Sequence, residues 1–98
     1  MDIQKSATPE FKTGHGTVGT SAAVAGPAFP CVKGVKIKAD LLNTNNVYVG
    51  HSDKVTSAGA AQGFELDGGE DVFIEIDSLD KVWVIGGAAD QGYSFVAI

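Results

Sequence analysis

Val35-Lys36-Ile37-Lys38-Ala39 alternates apolar and charged residues with a period of two, so Val35, Ile37 and Ala39 share one face and both lysines the other. That is the pattern of a β-strand with one side against a core. Asp71 to Asp77 repeats it, with Val72, Ile74 and Ile76 inward and Phe73 and Glu75 outward. Lys81-Val82-Trp83-Val84-Ile85 is β-branched and apolar on both faces, which reads as a central strand or one covered by a neighbour. Val47-Tyr48-Val49-Gly50 leaves the polar turn Asn43-Thr44-Asn45-Asn46, whose asparagines tolerate left-handed backbone. Tyr93-Ser94-Phe95-Val96-Ala97-Ile98 closes the chain as a further strand.

Outward from these runs the chain is punctuated by turn residues. Phe64-Glu65-Leu66 enters Asp67-Gly68-Gly69-Glu70, a strong turn signal, and Gly86 to Gly92 reads as a loop. Thr56 to Gly63 is a loop of small residues, with enough alanine for a helical turn and too much glycine for a helix. Phe11 to Val18 and Ser21 to Ala25 complete the set, the first despite Gly14 and Gly16. Seven or eight short strands and no helix predict an all-β fold: a single-domain antiparallel β-sandwich, of which a small jelly roll is one form. Residues 1–10 lack periodicity and read as a flexible N-terminal arm, leaving residues 11–98 as the sandwich domain.

Composition narrows the class. At 98 residues the chain makes one domain with a thin core, and its single cysteine, Cys31, allows no internal disulfide. Stability must come from packing or from partner subunits, so a homo-oligomer is expected. With 44% hydrophobic and 19% charged residues the chain is too apolar for disorder. Apolar runs as short as Val82–Ile85 fall far below the roughly 20 residues of a membrane span, so no membrane partner is expected. Met1-Asp2-Ile3-Gln4-Lys5 has no apolar core of a signal peptide, which predicts a protein that stays in the cytoplasm where it is made.

The net charge of −5 is unevenly spread. Lys5, Lys12, Lys33, Lys36 and Lys38 face only Asp2 and Glu10 in residues 1–38, whereas residues 39–98 carry ten acids against Lys54 and Lys81. No arginine is present, and nucleic-acid recognition leans on arginine for bidentate contacts, so no nucleic-acid partner is expected. The Lys33, Lys36, Lys38 stripe reads as the solvated face of one strand, or as a surface complementary to the acidic half of a neighbouring subunit.

No constellation of catalytic residues stands out, so the chain is not expected to be an enzyme or to carry a cofactor. His15, between Gly14 and Gly16, and His51, after Gly50, read as turn histidines; a cupin-like metal site using both with a carboxylate is the sharper alternative, but the clustered His-x-His pattern of cupins is missing. Cys31 reads as a small buried residue rather than a nucleophile. Asp67 to Asp71 offers three carboxylates in a tight turn, either a solvated turn or a calcium site without EF-hand spacing. Trp83, Phe73, Tyr48 and Tyr93 read as core, or as a sugar-stacking platform or assembly hot spot.

Three stretches carry a resemblance: Cys31-Val32-Lys33-Gly34-Val35-Lys36-Ile37-Lys38-Ala39 after a proline, Asn43-Thr44-Asn45-Asn46-Val47-Tyr48-Val49-Gly50, and Phe64 to Val84. Together they resemble small accessory proteins of tailed-bacteriophage virions, of the capsid decoration (cement) or head-fibre type, over about two thirds of the chain; residues 1–30 match no such pattern. The resemblance implies a non-enzymatic virion protein on the capsid surface, commonly a trimer, that bridges major capsid subunits. A tail, baseplate or head-fibre module that binds host glycans is the alternative it implies. On this reading the partner-binding residues are Ile3 and Pro9 in the arm, Phe11 at its junction with the domain, the Lys33, Lys36, Lys38 stripe, and Trp83.

Overall fold

Two antiparallel four-stranded sheets stack face to face in the computed structural model, which describes residues 10–98. The strands are β1 (Lys12–Val18), β2 (Ala23–Val24), β3 (Val35–Ala39), β4 (Val47–Gly50), β5 (Phe64–Leu66), β6 (Asp71–Ile74), β7 (Trp83–Gly86) and β8 (Gln91–Ala97). One sheet runs β1-β8-β3-β6 and the other β2-β7-β4-β5. Thus β1 pairs with β8, β2 with β7, β3 with β6 and β4 with β5: the first half of the chain pairs with the second half read backwards. This is a long hairpin rolled up and closed by the β3–β8 and β4–β7 ladders, which is the jelly roll. The β-sandwich expected from the sequence is the observed architecture.

The alternating runs face as their patterns require. Val35, Ile37 and Ala39 have no exposed surface, while Lys36 and Lys38 are exposed. With Val47, Leu66, Leu79, Val84, Phe95 and Ala97 they fill the space between the sheets. Each fully buried Ile, Leu or Val contributes roughly 1.5–3 kcal/mol relative to exposure. Tyr93 fastens one layer to the other, its hydroxyl donating to the Ala25 carbonyl at 2.8 Å.

Gly14 and Gly16 interrupt the apolar pattern of β1 for a reason the register reveals. They stand opposite Phe95 and Tyr93, whose rings fill the space a Cβ would need. The aromatic rings of β8 thus replace the side chains β1 lacks.

Three boundaries differ from expectation. The Asp71–Asp77 run pairs with β3 only as far as Ile74: the ladder is interrupted at Gly34, where a Cβ would strike the Ile74 carbonyl, and backbone contact resumes at Cys31, whose N–H donates to the Asp77 carbonyl at 2.8 Å. β2 shrinks to two residues. β8 begins at Gln91, inside the predicted loop, because that side chain is buried and bonded on every polar atom: its amide donates to Thr44 Oγ1 (3.0 Å) and the Ala89 carbonyl (2.7 Å), and its oxygen accepts from the Asn45 N–H (2.7 Å). Asn43 joins the same network, exchanging two 2.8 Å bonds with the Gly92 backbone. A 3-10 turn, Leu79–Lys81, buries Leu79. No helix among the described residues is long and apolar enough to cross a membrane.

Candidate interaction surface

The four strands β1, β8, β3 and β6 turn one face away from the core, and the ladder registers fix what it displays. Thr13, Val96, Lys36 and Phe73 form one row across it; His15, Ser94, Lys38 and Asp71 form the next. With strands about 4.8 Å apart, each row spans roughly 15 Å. Lys36, Lys38, His15 and Phe73 are exposed, and no described segment folds over them. Beyond the first row, at the end where β1 begins and β8 ends, stand Phe11 (67% exposed) and Val32 (87%), next to Lys33. Aliphatic and aromatic surface thus lies exposed beside lysine ammonium groups on this face.

The charge asymmetry of the sequence is folded into this one face. Lys38 stands opposite Asp71, and Lys36 opposite Phe73 with Glu75 beyond it, because β3 from the basic half pairs with β6 from the acidic half. The acidic neighbour imagined on another subunit is therefore present within the same chain. His15 Nε2 lies 2.6 Å from Asp40 Oδ2, so the face ends in one exposed histidine–carboxylate pair. His15 is thus a strand residue, not the turn residue its two glycine neighbours suggest, because those glycines sit under Phe95 and Tyr93.

The outward face of the second sheet is different. Tyr48 and Ile85 point away from the main core yet are buried, because residues 51–63 fold back across them and seat Val55 on the sheet. Gly50 and Gly63 leave room for the Val55 side chain; a Cβ at either would collide with it. Trp83 lies half-buried at the rim of this second cluster, between Val24 and Gly50. Burial and the adjacent Glu65 carboxylate raise the Tyr48 hydroxyl above its ordinary pKa, and burial does the same for Tyr93. With Tyr48 and Tyr93 buried, the aromatic set named for a sugar platform offers only Trp83 and Phe73, and these stand on opposite sheets.

The structure sets Lys36 and Lys38 on β3, with Phe11 just before β1 and Lys33 just before β3 of the same sheet, and Trp83 on the other sheet. Ile3 and Pro9, with nearly all of the expected arm over residues 1–10, lie outside the described residues. Cys31 is buried, its thiol donating to the Phe29 carbonyl at 3.4 Å; burial, then the nearby Asp77 carboxylate, push its pKa up, the reverse of what activates a nucleophile. His15 lies on β1 whereas His51 follows β4 of the other sheet, and among the described residues no group of three His, Cys, Asp or Glu side chains converges as a metal site would need. The Asp67–Asp71 turn is closed by its own groups: Glu70 Oε1 accepts the Asp67 N–H at 2.8 Å, and the Glu70 N–H donates to the Asp67 carbonyl at 2.9 Å. Sequence reading missed Val32, which breaks the apolar pattern by lying just before Gly34 and carries no periodic signal.

The chain matches no protein-family model, and no curated protein is similar enough in sequence to count as a relative.

Proposed function

We propose that the chain is a non-enzymatic structural protein of a tailed-phage virion that decorates the capsid and stabilises it by bridging major capsid subunits. The observation that supports this reading is the uncovered face of the β1-β8-β3-β6 sheet, where Phe11, Val32 and Phe73 lie exposed among Lys33, Lys36 and Lys38. A rigid jelly roll with one open face can lie across a boundary between shell subunits, and repeated copies make weak contacts add. Residues 1–12 would grip the shell on contact, and copies of the chain would join as a homotrimer.

The test is co-sedimentation of the purified chain with expanded, undecorated heads. Saturation at a fixed number of copies per shell, with heads that resist heat better, supports the assignment. Absence of binding at saturating protein contradicts it. Deleting residues 1–10 is expected to abolish shell binding and leave a soluble, folded oligomer; unchanged binding would remove the arm from the account.

A further inference from the structure

Among the described residues the jelly roll leaves four strand edges unpaired, β1, β6, β2 and β5. Each is a row of free N–H and C=O groups on which another extended chain can pair. Two of them are too short to guide a partner: β2 has two residues and β5 three. β1 is longer, but on its inner side the rings of Phe95 and Tyr93 already lie over Gly14 and Gly16, so an added strand finds no recess to fill.

β6 differs from all three. Recesses flank it on both faces. On the inner face a cleft of about 330 Å³ opens between β6 and β5, lined by half-buried Val72, Ile74 and Ile76 and by exposed Phe64. On the outer face a shallower recess of about 560 Å³ is lined by Val32, Phe73 and Ile76, with Glu75 and Asp77 at its rim beside Lys33. Side chains of an added strand point alternately to the two faces, so one set would enter the apolar cleft and the other the acid-rimmed recess. The inner set must then be apolar. The outer set suits lysine or arginine, whose aliphatic stems can lie on Val32 and Phe73 while the cation reaches Glu75 and Asp77.

We propose that the free edge of β6 binds an extended segment of a partner chain in which apolar residues alternate with lysine or arginine, adding it as a fifth strand of the sheet. Charge sets this preference: Asp71 on β6 and Glu75 and Asp77 in the segment that follows it are exposed beside the edge, whereas Lys36 and Lys38 stand one strand further away, on β3; of the three acids Asp77 is paired, with Lys81 at 2.8 Å. The same acids disfavour pairing of two β6 edges from two copies, since they would bring carboxylates together. Edge pairing of this kind is independent of whether the partner is a capsid subunit.

The test uses the full chain and two blocked eight-residue peptides, one alternating valine with lysine and the other valine with glutamate, titrated by calorimetry. The valine–lysine peptide is expected to bind at least tenfold more tightly than the valine–glutamate one. Glu75→Lys is expected to reduce that preference at least fivefold, whereas Asp53→Lys, the same charge change on the segment covering the other sheet, leaves it within twofold. Phe73→Pro removes an edge N–H and should abolish binding; the Trp83 emission and thermal midpoint of each variant are read alongside, to separate loss of the N–H from distortion of the strand. Equal binding of both peptides, or equal effects of Glu75→Lys and Asp53→Lys, would overturn the proposal. So would binding that appears only after residues 1–9 are deleted, since the chain's own start would then be the occupant.

Discussion

The two outward faces of this sandwich are built from the same kind of strands and finish differently. On the β2-β7-β4-β5 side, Tyr48, Ile85 and half of Trp83 are apolar and point outward, and residues 51–63 cover them with Val55. On the β1-β8-β3-β6 side the outward residues are Thr13, His15, Lys36, Lys38 and Phe73, and no described segment covers them. The difference is already present in strand composition. β7 is apolar on both faces and therefore needs a cover, while β3 alternates strictly and does not. A covered face adds to stability; an open face with exposed aromatic and aliphatic groups is available for a partner.

That contrast can be broken at several strengths. The largest effect is expected from truncating matched residues on the two outward faces. Ile85→Ala, at a position 6% exposed, should destabilise the protein by about 2–4 kcal/mol, whereas Val96→Ala on the open face should cost under about 1 kcal/mol. Chemical denaturation of the two variants checks the pair, and equal losses would mean that both faces are structural.

Removing the cover itself is the next test. Val55→Ala deletes the only buried side chain that residues 51–63 press onto Tyr48 and Ile85, and should cost about 1.5–2 kcal/mol. Trp83 emission should shift to the red and protease cleavage within residues 51–63 should quicken, while strands of the opposite sheet keep their protection from hydrogen exchange. Loss of protection throughout the molecule would show that the cover is not a separate element but part of the main core.

On the open face the expected stability changes are small. Lys36→Gln combined with Lys38→Gln should alter stability by no more than about 0.5 kcal/mol, because both side chains are exposed and make no ion pair within 4.0 Å among the described residues. The same double variant should weaken binding to undecorated heads, measured by co-sedimentation, so that its effect on binding exceeds its effect on folding.

The smallest effect concerns the exposed Asp77–Lys81 pair. Lys81 holds the Asp77 carboxyl below its ordinary value of 3.8, and Asp77 raises Lys81 above 10.5. A carboxylate depressed in the folded state stabilises above its unfolded pKa and loses that contribution as pH falls through the folded one; a raised lysine stabilises below its unfolded pKa and loses it at higher pH. Any difference between wild type and Lys81→Met should therefore lie between these limits, close under strongly acidic conditions, and vanish at all pH values in high salt. Thermal melts across pH at two salt concentrations check this.

How far these features could be read from the sequence follows from the physics of each. The alternation in Val35–Ala39 and Val72–Ile76 identified core-facing residues because one face is buried and the other wet. The apolar run at Val82–Ile85 signalled a covered strand, though not what covers it, since residues 51–63 carry a single large apolar anchor, Val55, among small and polar residues. Gln91 was legible only as polar; its burial depends on Thr44, Asn45 and Ala89 arriving together, which local pattern does not encode. For the same reason Gly14 and Gly16 looked like interruptions, whereas they accommodate rings from a strand that lies far along the chain. Of the candidate site, Lys36 and Lys38 were readable as one exposed stripe, but their juxtaposition with Asp71 and Glu75 needed the β3–β6 pairing.

The most direct test of the account is a lysine-acetylation footprint of the chain, free and bound to expanded heads. Four of the described lysines divide between the two sides: Lys36 and Lys38 on β3 and Lys33 just before it belong to the open sheet, Lys54 to the segment that covers the other one. Binding through the open face predicts that Lys36 and Lys38 lose reactivity on the head while Lys54 keeps it. Protection of Lys54 with Lys36 and Lys38 still reactive would contradict the assignment and put the contact on the covered side.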